Sequence, residues 1–84
     1  MFEIEYTKAA RKDLRKLDQV PRARIGEAID GLASDPHPPG SRKMIGSEAL
    51  FRIRVGDYRV IYEFRNEVLT IFIIKVGHRK NIYS

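Results

Sequence analysis

The chain has 84 residues, no cysteine, 43% hydrophobic content and a formal net charge of +5 from 16 Lys plus Arg against 11 Asp plus Glu. That length limits it to one hydrophobic core, expected to be a single domain over residues 1–84, and the missing cysteine excludes a disulfide framework, a thiolate zinc site and a cysteine nucleophile. The basic balance points to a polyanionic partner, whether nucleic acid, acidic protein or anionic membrane, and charge alone does not choose among them.

In chain order, "FEIEY" alternates Phe2, Ile4 and Tyr6 with Glu3 and Glu5, the period of a half-buried strand. Thr7 can cap a helix over "KAARKDLRKL", where Ala10, Leu14 and Leu17 fall on one face. Asp18 and Pro21 mark a second helix start, and Ile25, Ala28, Ile29 and Leu32 repeat the one-face spacing. "SDPHPPGSRKMIGSEA", rich in proline and glycine and without periodicity, reads as a long loop that includes His37. "LFRIRV" and "YRVIYEF" are strands joined by Gly56-Asp57, a pair suited to a type II′ turn. After a turn at "RNE", "VLTIFIIKV" is apolar on both faces and is expected inside the sheet. The fold class is α+β: β-α-α-β-β-β, with a helical hairpin packed on one face of a small, mostly antiparallel four-stranded sheet. The longest apolar run is broken by Lys75 and falls short of the roughly 20 residues of a membrane span. With no signal core at the N-terminus, a cytoplasmic location without a membrane partner is expected.

A two-residue turn at Gly56-Asp57 sets Arg54 opposite Arg59, Ile53 opposite Val60 and Arg52 opposite Ile61. One face then carries Phe51, Ile53, Val55, Tyr58, Val60, Tyr62 and Phe64, and the other carries Arg52, Arg54, Arg59 and Glu63. Like charges opposed across a sheet cost on the order of 0.2–1 kcal/mol. Two readings are open: a phosphate site, since guanidinium forks match phosphate oxygens, or a solvated outer face screened by Glu63. "KVGHRKNIYS" adds His78, Arg79 and Tyr83 after the last strand, where imidazole or phenol can move protons. RNA cleavage by 2′-hydroxyl attack needs such groups together with cations around the phosphorane, and no metal. No metal-ligand spacing, glycine-rich phosphate loop or serine nucleophile motif occurs, so no cofactor is expected. Lys8, Arg11, Lys12 and Arg15, with Lys16, share an exposed helix face that could grip a polyanion or simply be solvated.

"LRKL", the segment ending in "LASDPHPPGSRKM", "LFRIRVGDYRVIYEF" and "KVGHRKNIY" together resemble the RelE toxins of the RelE/ParE superfamily, found in bacterial and archaeal toxin–antitoxin modules. The resemblance spans essentially the whole chain. It implies a toxin that cleaves messenger RNA in the ribosomal A site, against 16S rRNA, leaves a 2′,3′-cyclic phosphate and is silenced by a cognate antitoxin. By the same resemblance Arg59, Arg79 and Tyr83 are catalytic, and His78 shares in proton transfer or phosphate contact. Arg52 and Arg54 fill two positions that are usually lysine in the best-known member; they hold phosphate but hardly deprotonate. The spacing from Arg79 to Tyr83 is shorter than in that member. Lys8, Arg11, Lys12 and Arg15 are the expected rRNA contacts. ParE-like relatives act on DNA gyrase instead and generally lack the full arginine and tyrosine set. Phe72, Ile74 and Val76 are expected on the open side of the sheet, where an apolar strip would suit an amphipathic antitoxin segment.

Overall fold

A computed structural model describes residues 1–78 and residue 80. The elements are β1 (Glu3–Tyr6), α1 (Lys8–Arg15), α2 (Gln19–Leu32), β2 (Arg42–Lys43), β3 (Leu50–Val55), β4 (Tyr58–Arg65) and β5 (Thr70–His78), with a 3-10 turn at Asn66–Val68. The strands lie in the order β1-β5-β4-β3-β2; β1 runs parallel to β5 and the other pairs are antiparallel. This is the expected α+β architecture with one correction: the sheet has five strands, not four. β2 lies inside the stretch expected to be loop. Two residues are too few to show a period, and β2 exists because β3 offers it an edge, Arg42 pairing with Arg52 and Lys43 with Phe51.

The β3–β4 hairpin has the expected register, with Val55 opposite Tyr58, Arg54 opposite Arg59 and Ile53 opposite Val60. Gly56 takes φ +62° and Asp57 has a negative φ, the pattern of a type II′ turn. Alternation along the hairpin sends Ile53, Val60 and Tyr62 toward the helices, where they meet Ala10, Ile25, Ile29 and Leu32 in the core. Burial of such side chains contributes about 1.5–3 kcal/mol each. Arginines at the intervening positions are thereby forced to the opposite, helix-free face.

β5 changes parity partway along. Ile61 pairs with Lys75 and Tyr62 with Ile73, so Ile74 is the extra residue of a β-bulge. Up to the bulge Ile71 and Ile73 face the core; beyond it Val76 does, at 3% exposure. Val76 is therefore a core residue and not part of the open strip, while Phe72, paired with Glu63, stays on the open side.

Thr7 locks the bulge. Its Oγ1 shares its one proton between the carbonyls of Ile73 and Ile74, both at 2.9 Å, and accepts from the Ala10 N–H as the cap of α1. Asp13 Oδ2 accepts the Val76 N–H at 3.0 Å, covering the β5 edge past the end of β1. Thr7→Val keeps the shape and removes the oxygen, so the cap and both carbonyl contacts are lost. A destabilisation of about 1–2 kcal/mol is expected, read as a lower urea midpoint at unchanged m. Among the described residues no helix is long and apolar enough to cross a membrane.

Candidate functional site

The open face is divided by charge. β1 contributes Glu3 and Glu5, in register with Thr70 and Phe72 at one side of the sheet. Mid-sheet stand Ile61 and Phe72. At the other side Arg42, Arg52, Arg54 and Arg59 surround a single cavity of about 230 Å³, floored by Gly40 and Ile53. That volume is several times the roughly 30 Å³ share of one liquid water, ample for a hydrated phosphate group.

Local structure explains the convergence. Arg54 and Arg59 are direct partners across the hairpin, and β2 delivers Arg42 beside Arg52. On its other flank Arg59 pairs with Gly77, which has no side chain to offer it. Among the described residues no carboxylate lies within ion-pair distance of Arg42, Arg54 or Arg59. Glu63, the acid expected to screen them, is held by Arg65 at 3.1 Å, and this bond and charge keep the Arg65 pKa above its ordinary value. Arg54 Nε donates to the Gly56 carbonyl at 3.0 Å, which fixes the guanidinium against its own turn. Among the described residues Arg59 Nη1 is buried with no hydrogen-bond partner. A buried cationic donor without an acceptor costs more than about 1–3 kcal/mol.

The other anticipated residues are placed differently. His78 pairs with Tyr58 on the helix-facing side, its ring edge-on to Tyr58 at 5.6 Å. It lines a separate cavity with Asp13, Lys16 and Leu17, away from the arginines, because the bulge sets the parity of β5 at its end. The Lys80 N–H donates to His78 Nδ1 at 3.2 Å, so the neutral ring carries its proton on Nε2. Arg79 and Tyr83 lie outside the described residues. Lys8, Arg11, Lys12 and Arg15 are exposed on α1, in the helical layer and not on the arginine face. His37, in the loop as expected, packs its ring on Phe51 and Phe64 at 4.7 and 4.8 Å. Arg42 is the site residue that sequence reasoning missed; its only local signal was a basic pair in a proline-rich stretch.

The model of the ParE toxin of type II toxin–antitoxin systems matches residues 4–83. The chain belongs to that family of toxins. Within the RelE/ParE superfamily its relatives are of the RelE kind: it is 34% identical to toxin RelG of Mycobacterium tuberculosis, over 98% of this chain and 95% of the relative. The archaeal RelE in the RelE–RelB complex of Pyrococcus horikoshii superposes with TM-score 0.83 at 30% identity, covering 95% of this chain and 97% of that one. For the Escherichia coli RelBE complex the TM-score is 0.82 at 22% identity, over 93% and 96%, a likeness of fold.

Proposed function

We propose that this chain is a ribosome-dependent messenger RNA endonuclease acting in the cytoplasm, silenced by a cognate antitoxin as its relatives' RelE–RelB complexes suggest. The observation that carries the reading is the cavity lined by four arginines, one of which, Arg59, also buries Nη1 without a hydrogen-bond partner among the described residues. A scissile phosphate there would be met by forked donors already in place. As the adjacent 2′-oxygen attacks phosphorus and loses its proton, negative charge grows on the non-bridging oxygens, and Arg59, Arg52 and Arg54 stabilise it. The P–O5′ bond then breaks, the 5′-oxygen takes a proton, and a 2′,3′-cyclic phosphate and a 5′-hydroxyl result. Arg79 and Tyr83 are assigned to this machinery by resemblance, Tyr83 as the proton-moving group, because clustered cations favour a phenolate. His78, set apart from the arginines, is left out of the proton path. The α1 residues Lys8, Arg11, Lys12 and Arg15 form a second cationic surface, which leaves them available to 16S rRNA while the arginine face holds the message.

Ribosomes programmed with a defined message and incubated with the purified toxin provide the test. Expected are A-site cuts with cyclic phosphate on the upstream fragment and 5′-hydroxyl on the downstream one. The matching family model bears the ParE name, so a gyrase-directed action is the competing reading. Intact transcripts with induction of DNA-damage signalling would replace the nuclease assignment by that one.

A further inference from the structure

We infer that a second phosphate subsite, centred on Arg24 of α2, receives the RNA strand as it leaves the arginine cavity; this rests on the nuclease reading. β2 pairs only with Phe51 and Arg52, so Ile53–Val55 form a free edge of the sheet among the described residues. Arg54 stands on that edge and lines three adjoining concavities: the arginine cavity, a groove of about 410 Å³ toward α2, and a pocket of about 340 Å³ at the hairpin end that Arg24 also lines. The three share Arg54 as a lining residue, with Arg42, Arg52 and Arg59 in the first and Arg24 in the last. The groove is lined by Ala28, Pro38 and Pro39, surfaces on which bases can pack, together with Arg54 and one carboxylate, Asp35.

Charge selects the direction. A linear polyanion seated by a phosphate among Arg42, Arg52 and Arg59 meets Glu3, Glu5 and Glu63 if it crosses the open face toward β1. Past Arg54 it meets Arg24, which has no ion pair among the described residues. Two carboxylates stand on this path, Asp35 in the groove and Asp57 on the rim of the Arg24 pocket, against the three glutamates of the other and with two guanidiniums, Arg54 and Arg24, beside them. Arg24 is exposed on α2.

Non-cleavable 2′-O-methyl RNAs, a short one of about three nucleotides and a long one of about ten, distinguish the outcomes when their affinities are measured against salt. Each phosphate contact contributes about 0.7 to the slope of log K on log salt for single strands. Arg24→Ala is expected to lower the slope for the long RNA by about 0.7, to leave the short RNA unchanged, and to be rescued by Arg24→Lys. Arg59→Ala should weaken both lengths. If Arg59→Ala weakens both but Arg24→Ala leaves the long-RNA slope intact, the subsite is overturned while the nuclease reading stands. If Arg59→Ala weakens neither, the reading fails and the subsite falls with it. An oligoglutamate peptide that loses affinity on Arg24→Ala when the RNA does not would make this edge a peptide-docking surface and likewise overturn the inference.

Discussion

Replacing Arg59 with methionine is expected to abolish most RNA cleavage and, in the same molecule, to raise thermal stability. The two effects have one cause. In the free protein Arg59 is the direct cross-strand partner of Arg54 and buries Nη1 without an acceptor among the described residues. Opposed like charges cost on the order of 0.2–1 kcal/mol, and an unsatisfied buried donor about 1–3 kcal/mol. Methionine keeps the apolar stem that packs on the sheet and deletes the unpaired group. A net gain on the order of 1 kcal/mol corresponds to a rise of about 4–8 °C in melting temperature for a domain of this size. Removal of one preorganised donor from a developing oxyanion lowers turnover about 10²–10³-fold. Melting curves and A-site cleavage rates on the same preparation check both halves. A fall in melting temperature would mean that the guanidinium already has its counter-charge in the folded chain. A rise with full cleavage would mean that the strain serves something other than this chemistry. Strain kept at a site because function uses it is the common reason that natural sequences stop short of their stability limit.

The arginine face was legible because three local signals agree along the hairpin: alternation from Phe51 to Phe64 broken only at Ile61, a Gly-Asp turn that fixes register, and enough apolar side chains on one face to decide which side is buried. Where such agreement fails, so does the reading. β5 is apolar at every position from Ile71 to Ile74, so parity cannot be taken from its sequence. The bulge at Ile74 is imposed from outside by Thr7 and Asp13, both more than sixty positions earlier. This reversal puts Val76 in the core and turns His78 away from the arginines. β2 illustrates a different limit, a two-residue strand created by its neighbour and carrying Arg42 into the site with no periodic trace. Arg24 could not have been connected to Arg54 from spacing, since the proximity depends on how α2 lies against the free edge of β3.

Tyr62 links the core to the loop that brings Arg42 into place, and its truncation to alanine is expected to be the most destabilising change considered. The side chain is fully buried, stacks on Phe51 with ring centroids 5.9 Å apart, and donates its hydroxyl to the Pro36 carbonyl at 2.6 Å. Truncating a buried aromatic costs about 3–5 kcal/mol, comparable with the entire stability of a marginal domain. Tyr62→Phe separates the parts, because it keeps the ring and strands the Pro36 carbonyl, for an expected loss of about 1–3 kcal/mol. It also removes a titration. Burial, reinforced by the charge of Asp35 and opposed by a hydrogen bond with Ser41, pushes the Tyr62 phenol up to about 12 from 10.0. The native state thus keeps its proton where the unfolded chain gives it up. Its contribution is fully present below pH 10 and is lost as pH rises from 10 to about 12. Urea unfolding between those limits should show stability falling with pH in the parent and a shallower fall in Tyr62→Phe. Equal slopes would mean that the hydroxyl is not held by the loop, and the anchoring of Pro36, and through it the placement of Arg42, would need another account.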